Sequence, residues 1–420
     1  MCTTCHHDAS ENQRPGDQSH EDQDHQDLTG LAQGSPTTGG AAPSGPESSR
    51  TVNRRAVLSG VGGVVGAVIG NATIFGGAQP AAAAVPPQHE TPGHRSSRDS
   101  HLQLVLLGTK AGPPVNYWRK GIASALVVDG SIYVVDCGRS ALTQFSLAGL
   151  PLASLRAIFL THLHIDHLAD YFNFFLLGGV PSLQGDGLPR HIDVYGPGPA
   201  GGLPAKFGGG AAPTVNPTNP TPGIVDLHNS CMDAYAYSTN LFLRDSGIRD
   251  PRSLATVHQI GVPTEVGASY QNTAPTMDPF VVMQDDKVKV TAILVPHGPV
   301  FPAFAFRFDT AYGSVTFSGD TTYTSNIPTL AKDTDLLVHE AVNLEGFAGS
   351  PALASHARLS HVDVQRVGTV AAAANARHLV LSHVGDYVSD RIDVRRWTNW
   401  AQEGYDGRVT VGQDLQRFCR

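Results

Sequence analysis

A chain of 420 residues, 41% of them hydrophobic, is long enough for one large domain or two average ones and can bury a substantial core. Its formal charge of −8 excludes a bulk attraction to nucleic acid or anionic membrane, and no Lys/Arg-rich run marks a local basic groove. Cys2 and Cys5 sit in a polar tail and Cys137, Cys231 and Cys419 lie far apart, so no disulfide framework is legible, although one pair stays open.

Residues 1–50 hold eight acidic side chains against Arg14 and Arg50 and few large apolar groups, which predicts a disordered acidic tail. Within it Cys2, Cys5, His6 and His7 define no rigid metal site. Residues 51–84 begin with Arg54-Arg55, run without charge, and end in Gln79-Pro80-Ala81-Ala82-Ala83-Ala84. This resembles a twin-arginine-type signal peptide and predicts export to a periplasmic or extracellular compartment. An uncleaved N-terminal membrane anchor is the alternative, because the uncharged run exceeds the length of a spanning helix. Residues 85–100 read as a linker.

The catalytic domain is expected over 101–420. Leu102–Leu107 ends at Gly108 as a short strand. Ala123–Val128 and Ser131–Val135 flank Asp129-Gly130, a hairpin turn signal. Arg139–Leu147 is predicted as a helix, Ala157–Leu160 as a buried strand and Leu168–Leu177 as an apolar helix. Residues 201–223 are rich in Gly, Pro, Asn and Thr, and 200–278 is treated as an insertion between two halves. Strands are predicted again at Lys287–Val295, Ala303–Asp309, Ser314–Phe317, Leu336–His339 and Leu379–Leu381, with helices at Val362–Ala374 and Val394–Gln402. Strand groups on both sides with helices between them predict an α/β fold, an αββα sandwich of two mixed β-sheets flanked by helices.

The densest chemistry is Thr161-His162-Leu163-His164-Ile165-Asp166-His167, directly after the strand Ile158-Phe159-Leu160. In an extended turn residues two apart face the same way, so His162 and His164 can share one ion. Asp166 and His167 start the next turn and can address a second. Imidazole and carboxylate suit zinc, and also iron or manganese.

This run resembles the HxHxDH motif of the metallo-β-lactamase superfamily. The remaining family motifs follow in order: Val135-Asp136-Cys137-Gly138, Pro296-His297-Gly298-Pro299, Phe317-Ser318-Gly319-Asp320-Thr321 and Leu381-Ser382-His383. The resemblance spans about residues 102–413. It implies two Zn2+, one on His162, His164, His297 and Asp320, the other on Asp166, His167, His383 and the same Asp320. Asp136 would orient a ligand histidine by hydrogen bonding. The implied reaction is hydrolysis by a hydroxide shared between the ions, which Asp166 would also orient.

Leu337-Val338-His339-Glu340-Ala341 and Ser360-His361-Val362-Asp363 resemble segments of the tRNase Z branch and of arylsulfatase-like enzymes. They imply His361 as general acid with Glu340 as its orienting partner; His356 is a rival donor, and a helix-capping His361 beside a structural Glu340 is the alternative. Arg307 on a predicted strand is a candidate contact for an anionic ester, or else an outward salt-bridged arginine. Ile165 where the tRNase Z branch has Gly, Val384-Gly385-Asp386-Tyr387 without that branch's Arg-Tyr element, and a non-basic insertion lean towards small anionic esters, aryl sulfate or phosphodiester. The main expectation is therefore an exported binuclear hydrolase of small anionic esters. The alternative is a tRNase Z-like 3′-tRNA processing endoribonuclease. A lactonase or a non-hydrolytic metal binder fits less well. Nucleic acid is not the favoured partner in this reading, and a homodimer is compatible with it.

Overall fold

The computed structural model describes residues 100–115, 117–180, 187–347 and 349–420. The expected acidic tail, the signal-type segment 51–84 and residues 85–99 of the linker lie outside the described residues.

The first sheet contains β1 (Leu102–Gly108), β2 (Ala123–Val128), β3 (Ser131–Val135), β4 (Leu155–Phe159), β5 (Ile192–Pro197), β6 (Ala255–Ile260) and β14 (Arg417–Cys419). Their order is β14-β1-β2-β3-β4-β5-β6. The second contains β7 (Phe280–Gln284), β8 (Val288–Leu294), β9 (Phe304–Thr310), β10 (Gly313–Phe317), β11 (Leu336–Asn343), β12 (His378–Asp386) and β13 (Arg408–Val411), in the order β13-β12-β11-β10-β9-β8-β7. Both sheets are mixed. The β1-β2-β3 and β7-β8-β9-β10 runs are antiparallel, whereas β3-β4-β5-β6 and β10-β11-β12-β13 are parallel. The αββα sandwich read from the sequence is the observed architecture.

Burial on both faces explains why the strands read as apolar runs rather than alternating ones. In β1, Leu102, Leu104 and Leu106 point into the core between the sheets, with Phe159, Phe306 and Phe308. Val105 and Leu107 point outward, to a second cluster with Phe145 and Phe174. The outer layers are α1 (Ala141–Leu147), α3 (Asn173–Leu176) and α4 (Ile224–Ala234) over the first sheet, and α6 (Asn326–Leu330), α8 (Val364–Ala373) and α9 (Val394–Ala401) over the second. The Asp129-Gly130 turn is observed with both residues at positive φ, 45° and 79°, as a two-residue hairpin requires.

Three local expectations change. The apolar helix over 168–177 is two short turns, α2 (Ile165–Leu168) and α3. Asp170 breaks it: its N–H donates to Cys137 O at 2.9 Å, and its carboxylate accepts from Leu142 N–H and Asn173 Nδ2. Residues 201–223 carry no helix or strand, but the rest of 200–278 holds α4, α5 (Ala236–Asp245) and β6, which pairs in parallel with β5. Finally α7 (Pro351–Ser360) was not anticipated, although Ser350 caps it through Leu353 N–H and Pro351 occupies its first turn.

Phe159 is fully buried, with its ring 5.0 Å from Tyr195, 5.6 Å from Phe306 and 5.1 Å from Phe308. It joins the two sheets one strand-end away from the histidine run. Phe159→Ala should cost about 3–5 kcal/mol in urea unfolding. A loss under about 1 kcal/mol would show that this aromatic contact does not tie the sheets together.

Candidate metal centre

All the chemistry-bearing loops leave strand ends along one edge of the sandwich. After β4 the chain is pinned twice: Leu160 N–H donates to Tyr195 O at 2.8 Å, and Thr161 N–H to Asp136 Oδ1 at 2.9 Å. That fixes the exit of His162, which is fully buried. His164 caps α2, and Asp166 and His167 lie inside its single turn. The loop after β3 braces this turn from behind, since Cys137 N–H donates to His167 O at 2.8 Å. Asp136 accepts from His167 Nδ1 at 2.9 Å, leaving Nε2 to face the centre.

From the second sheet come His297, Asp320 and His383. His297 Nδ1 donates to Ser360 O at 2.9 Å, again aiming Nε2 inward. Asp320 follows β10 through Gly319 at φ 58°, where a Cβ would stand 2.5 Å from Phe304 O. His383 lies in a bulge of β12: the register passes from His339↔Leu381 to Ala341↔Val384, so Glu340 opposes both Ser382 and His383. The bulge gives His383 a φ of 57° and turns its ring to the centre.

Asp320 Oδ2 ends at the meeting point. It lies 3.1 Å from His383 Nε2, 3.4 Å from His167 Nε2, 3.7 Å from His297 Nε2 and 3.9 Å from His162 Nε2. Two donor groups form around it: His162, His164 and His297, and Asp166, His167, Asp320 and His383, each with ligand atoms within 4.8 Å of one another. Every residue expected to ligate is in one of them. The fit to cations is visible in the polar atoms themselves. His162 Nε2, His167 Nε2, Asp166 Oδ1 and Asp320 Oδ1 are buried without a hydrogen-bond partner among the described residues, an arrangement that a cation would satisfy.

The electrostatics point the same way. Burial pushes His162 and His297 well below the ordinary histidine range, and His164 down to about 4, favouring the neutral rings that ligate metal. Burial alone would raise the Asp166 and Asp320 carboxyls. The neighbouring His383 and His167 outweigh it and hold both well below the usual carboxylate range. His167 is held well above its usual value because Asp320 and Asp136 overcome its burial. Carboxylates flank both of its nitrogens, Asp136 at Nδ1 and Asp320 at Nε2.

Beside this centre His361 Nδ1 lies 3.3 Å from Glu340 Oε2, and Glu340 Oε1 accepts from Val362 N–H at 2.7 Å. The His361 ring packs 5.2 Å from His297 and 5.6 Å from His383. His361 follows the last residue of α7, and the helix after it, α8, starts from Asp363, so His361 does not cap the helix that this segment opens. Behind the centre is a cavity of about 30 Å3, lined among others by His339, Ser382 and Asp320. His339 Nδ1 donates to Glu340 O at 2.6 Å, which leaves its buried Nε2 an acceptor facing polar space large enough for a water.

In front lies a pocket of about 610 Å3, reached by His164, Asp166, Asp320, His356 and His361. His356 stands at its half-buried rim, 6.4 Å from the His361 ring. Arg307 is not part of it, which corrects the expectation of a substrate contact. Phe306 and Phe308 turn into the core, so Arg307 points to the opposite face of β9, where it binds Asp309 at 2.9 Å and the carbonyls of Leu330 and Lys332. The cations that do line the pocket, Lys110 and Arg119, were not singled out from the sequence. No motif marks them, since each reaches the site only through the folding back of the loop after β1.

The model of the family described as the metallo-beta-lactamase superfamily matches residues 118–224, which include the histidine run. Ribonuclease Z of Mycobacterium avium (strain 104) is 28% identical over 324 residues, covering 75% of this chain and 97% of that protein. Ribonuclease Z of Mycobacterium marinum (strain ATCC BAA-535 / M) is 26% identical over 319 residues, covering 75% and 98%. The crystal structure of the short form of human tRNase Z superposes with a TM-score of 0.50 at 21% identity, covering 75% of this chain and 98% of that one.

Asp320 is the only described carboxylate in contact with histidines of both donor groups. Asp320→Ala should therefore lose bound metal from both, measured by elemental analysis of the purified protein, whereas His164→Ala should reduce it in one. Full metal content in Asp320→Ala would break the assignment of a shared ligand.

Proposed function

We propose that this chain, a hydrolase carrying a metallo-β-lactamase superfamily domain, cleaves phosphodiester bonds in the manner of ribonuclease Z. The observation that carries this reading is His361, backed by the buried Glu340, opening on the same pocket as His164 of one donor group and Asp166 and Asp320 of the other. The similarity to ribonucleases Z over nearly their whole length supports it.

In this proposal the centre would take two zinc ions, or iron or manganese: His162, His164 and His297 would hold one, Asp166, His167 and His383 the other, with Asp320 available to both. Such ions, when bound, lower the pKa of water and neutralise charge on ester oxygens. The chain's own groups do the rest. Asp136 holds His167 in the tautomer that presents Nε2. Asp166 orients the attacking water through its second oxygen. His361 gives its proton to the leaving oxygen, and Glu340 steadies the imidazolium through Nδ1–H.

The direction of the His361 shift sets the pH response. Burial works against the protonated ring, but Glu340 beside it prevails and holds His361 above the ordinary histidine value. A general acid is active while protonated, so kcat should persist through neutral pH and fall only as pH rises past that raised value. His361→Asn should lower kcat by about 10²–10⁴-fold, abolish the alkaline limb and leave bound metal unchanged. An unaltered limb in that variant would remove His361 from the proton transfer.

A second reading, hydrolysis of small aryl sulfates or aryl phosphates, is favoured by the pocket wall. Val115, Ile165, Leu353 and Ile392 line it, and residues 201–223 offer Lys206 as their one cation, a poor clamp for a polyanion. The metal-loaded protein assayed on pre-tRNA, bis(4-nitrophenyl) phosphate, 4-nitrophenyl sulfate and a lactone separates the readings. Pre-tRNA cleaved at one site supports the first. Sulfate turnover with intact pre-tRNA supports the second and overturns the first.

We also propose export, on the basis of Arg54-Arg55 and the uncharged stretch after them. Replacing both arginines by lysine should retain the protein in the cytoplasmic fraction on cell fractionation; unchanged distribution would refute a twin-arginine route.

A further inference from the structure

The loop after β1 is stitched on two sides. Thr109 N–H and Lys110 N–H both donate to Lys120 O, at 3.1 and 2.9 Å. On the other side Ala111 N–H donates to Val384 O at 3.2 Å, and Val384 N–H to Thr109 O at 2.8 Å. Val384 directly follows His383, and Gly112 N–H points at His383 Nε2 from 3.4 Å. The backbone of Lys110 is thus fixed against the strand that carries a candidate ligand, and its side chain enters the pocket in front of the centre.

The charges around that ammonium are Asp166, Asp390 and the like-charged Arg119. Its hydrogen bond goes to Ala111 O, a neutral carbonyl within its own turn. An anionic oxygen is a stronger acceptor than a carbonyl, so a substrate anion can take over this donor. Arg119 is committed differently: it donates to Thr109 Oγ1 at 2.6 Å and Gly412 O at 2.7 Å, while Thr109 Oγ1 donates to Asp414. Those contacts brace the loop that carries Lys110.

We propose that Lys110 is the charge-selecting residue of this pocket: its ammonium pairs with a non-bridging oxygen of a tetrahedral anionic ester, phosphodiester or sulfate, and discriminates against neutral esters. The apolar wall of Val115, Ile165, Leu353 and Ile392 then faces the organic part of the ester. The proposal rests on the hydrolytic reading of the centre, but it assigns the selectivity to one side chain that does not ligate metal. A lysine acts here as a point charge, which tolerates either tetrahedral anion.

The test uses the full metal-loaded chain and two probes, inorganic phosphate as a competing anion and bis(4-nitrophenyl) phosphate as a substrate. Lys110→Met should weaken phosphate binding, read by calorimetry, about 10- to 100-fold, with bound metal unchanged. It should raise KM for the diester by a similar factor, and Lys110→Arg should restore much of both. The same shift should appear with 4-nitrophenyl sulfate if sulfate esters are the substrates, and 4-nitrophenyl acetate should be unaffected. Phosphate binding within twofold of the parent in Lys110→Met, or no measurable phosphate binding by the parent, would overturn the proposal. So would loss of metal in Lys110→Met, because Lys110 would then act through Asp166. Phosphate binding that depends on Lys110 in a protein inert to every ester would uphold the anion subsite and refute the hydrolytic reading.

Discussion

A carboxylate buried among imidazoles is the arrangement around which this molecule is built. Asp320 is almost wholly enclosed and has four histidines within 4 Å of one oxygen. Removing such a charge from water costs several kcal/mol unless positive charge compensates it. The surrounding rings cannot all be protonated, because burial holds His162 and His297 neutral. The fold therefore gathers lone pairs and negative charge at one point and leaves their balance to a cation. The oriented second nitrogens of His167 and His297, the bulge at His383 and the glycine turn before Asp320 all serve that convergence.

Backbone conformations show how firmly the point is specified. Asp136 and His383 adopt positive φ, 59° and 57°, without being glycine. A non-glycine residue in that region costs on the order of 1–2 kcal/mol. Both residues meet the centre, one by bracing His167 and the other directly. Strain collected at such positions is held in place by the sheets around it, and the two sheets share a core through Phe159, Phe306 and Phe308.

The centre was largely legible in the sequence because most of its ligands follow shortly after an apolar strand, β4, β8 or β10, where Val, Leu and Phe give way to polar residues; His383 lies inside β12 and was legible through the resemblance. Asp136 follows β3 in the same way, whereas Glu340 lies inside β11 and His361 follows α7; those two and their pairing were legible through the resemblance alone. What could not be read is whatever depends on which surface a chain folds onto. Arg307 is correctly placed on a strand, but alternation does not say whether its face meets the pocket or α6. The helix over 168–177 fails on Asp170, whose partners Cys137 and Leu142 are distant in sequence. The edge strand β6 was hidden in a segment whose first part is rich in Gly and Pro, and its register depends on β5. Lys110 was invisible because its importance comes from Val384, more than two hundred residues away.

The ligands are divided between the sheets: His162, His164, Asp166 and His167 follow β4 of the first, whereas His297, Asp320 and His383 come from the second. Packing between sheets is the sum of many non-directional contacts, each worth only about 0.1–0.2 kcal/mol. Coordination is directional and concentrated at one point. An ion held by ligands from both sheets would be a rivet at one edge of the sandwich, and the Phe159 cluster a softer contact within the shared core. Under mechanical load, as in threading through a protease or a pore, the sandwich would then open like a book, from the edge away from the centre.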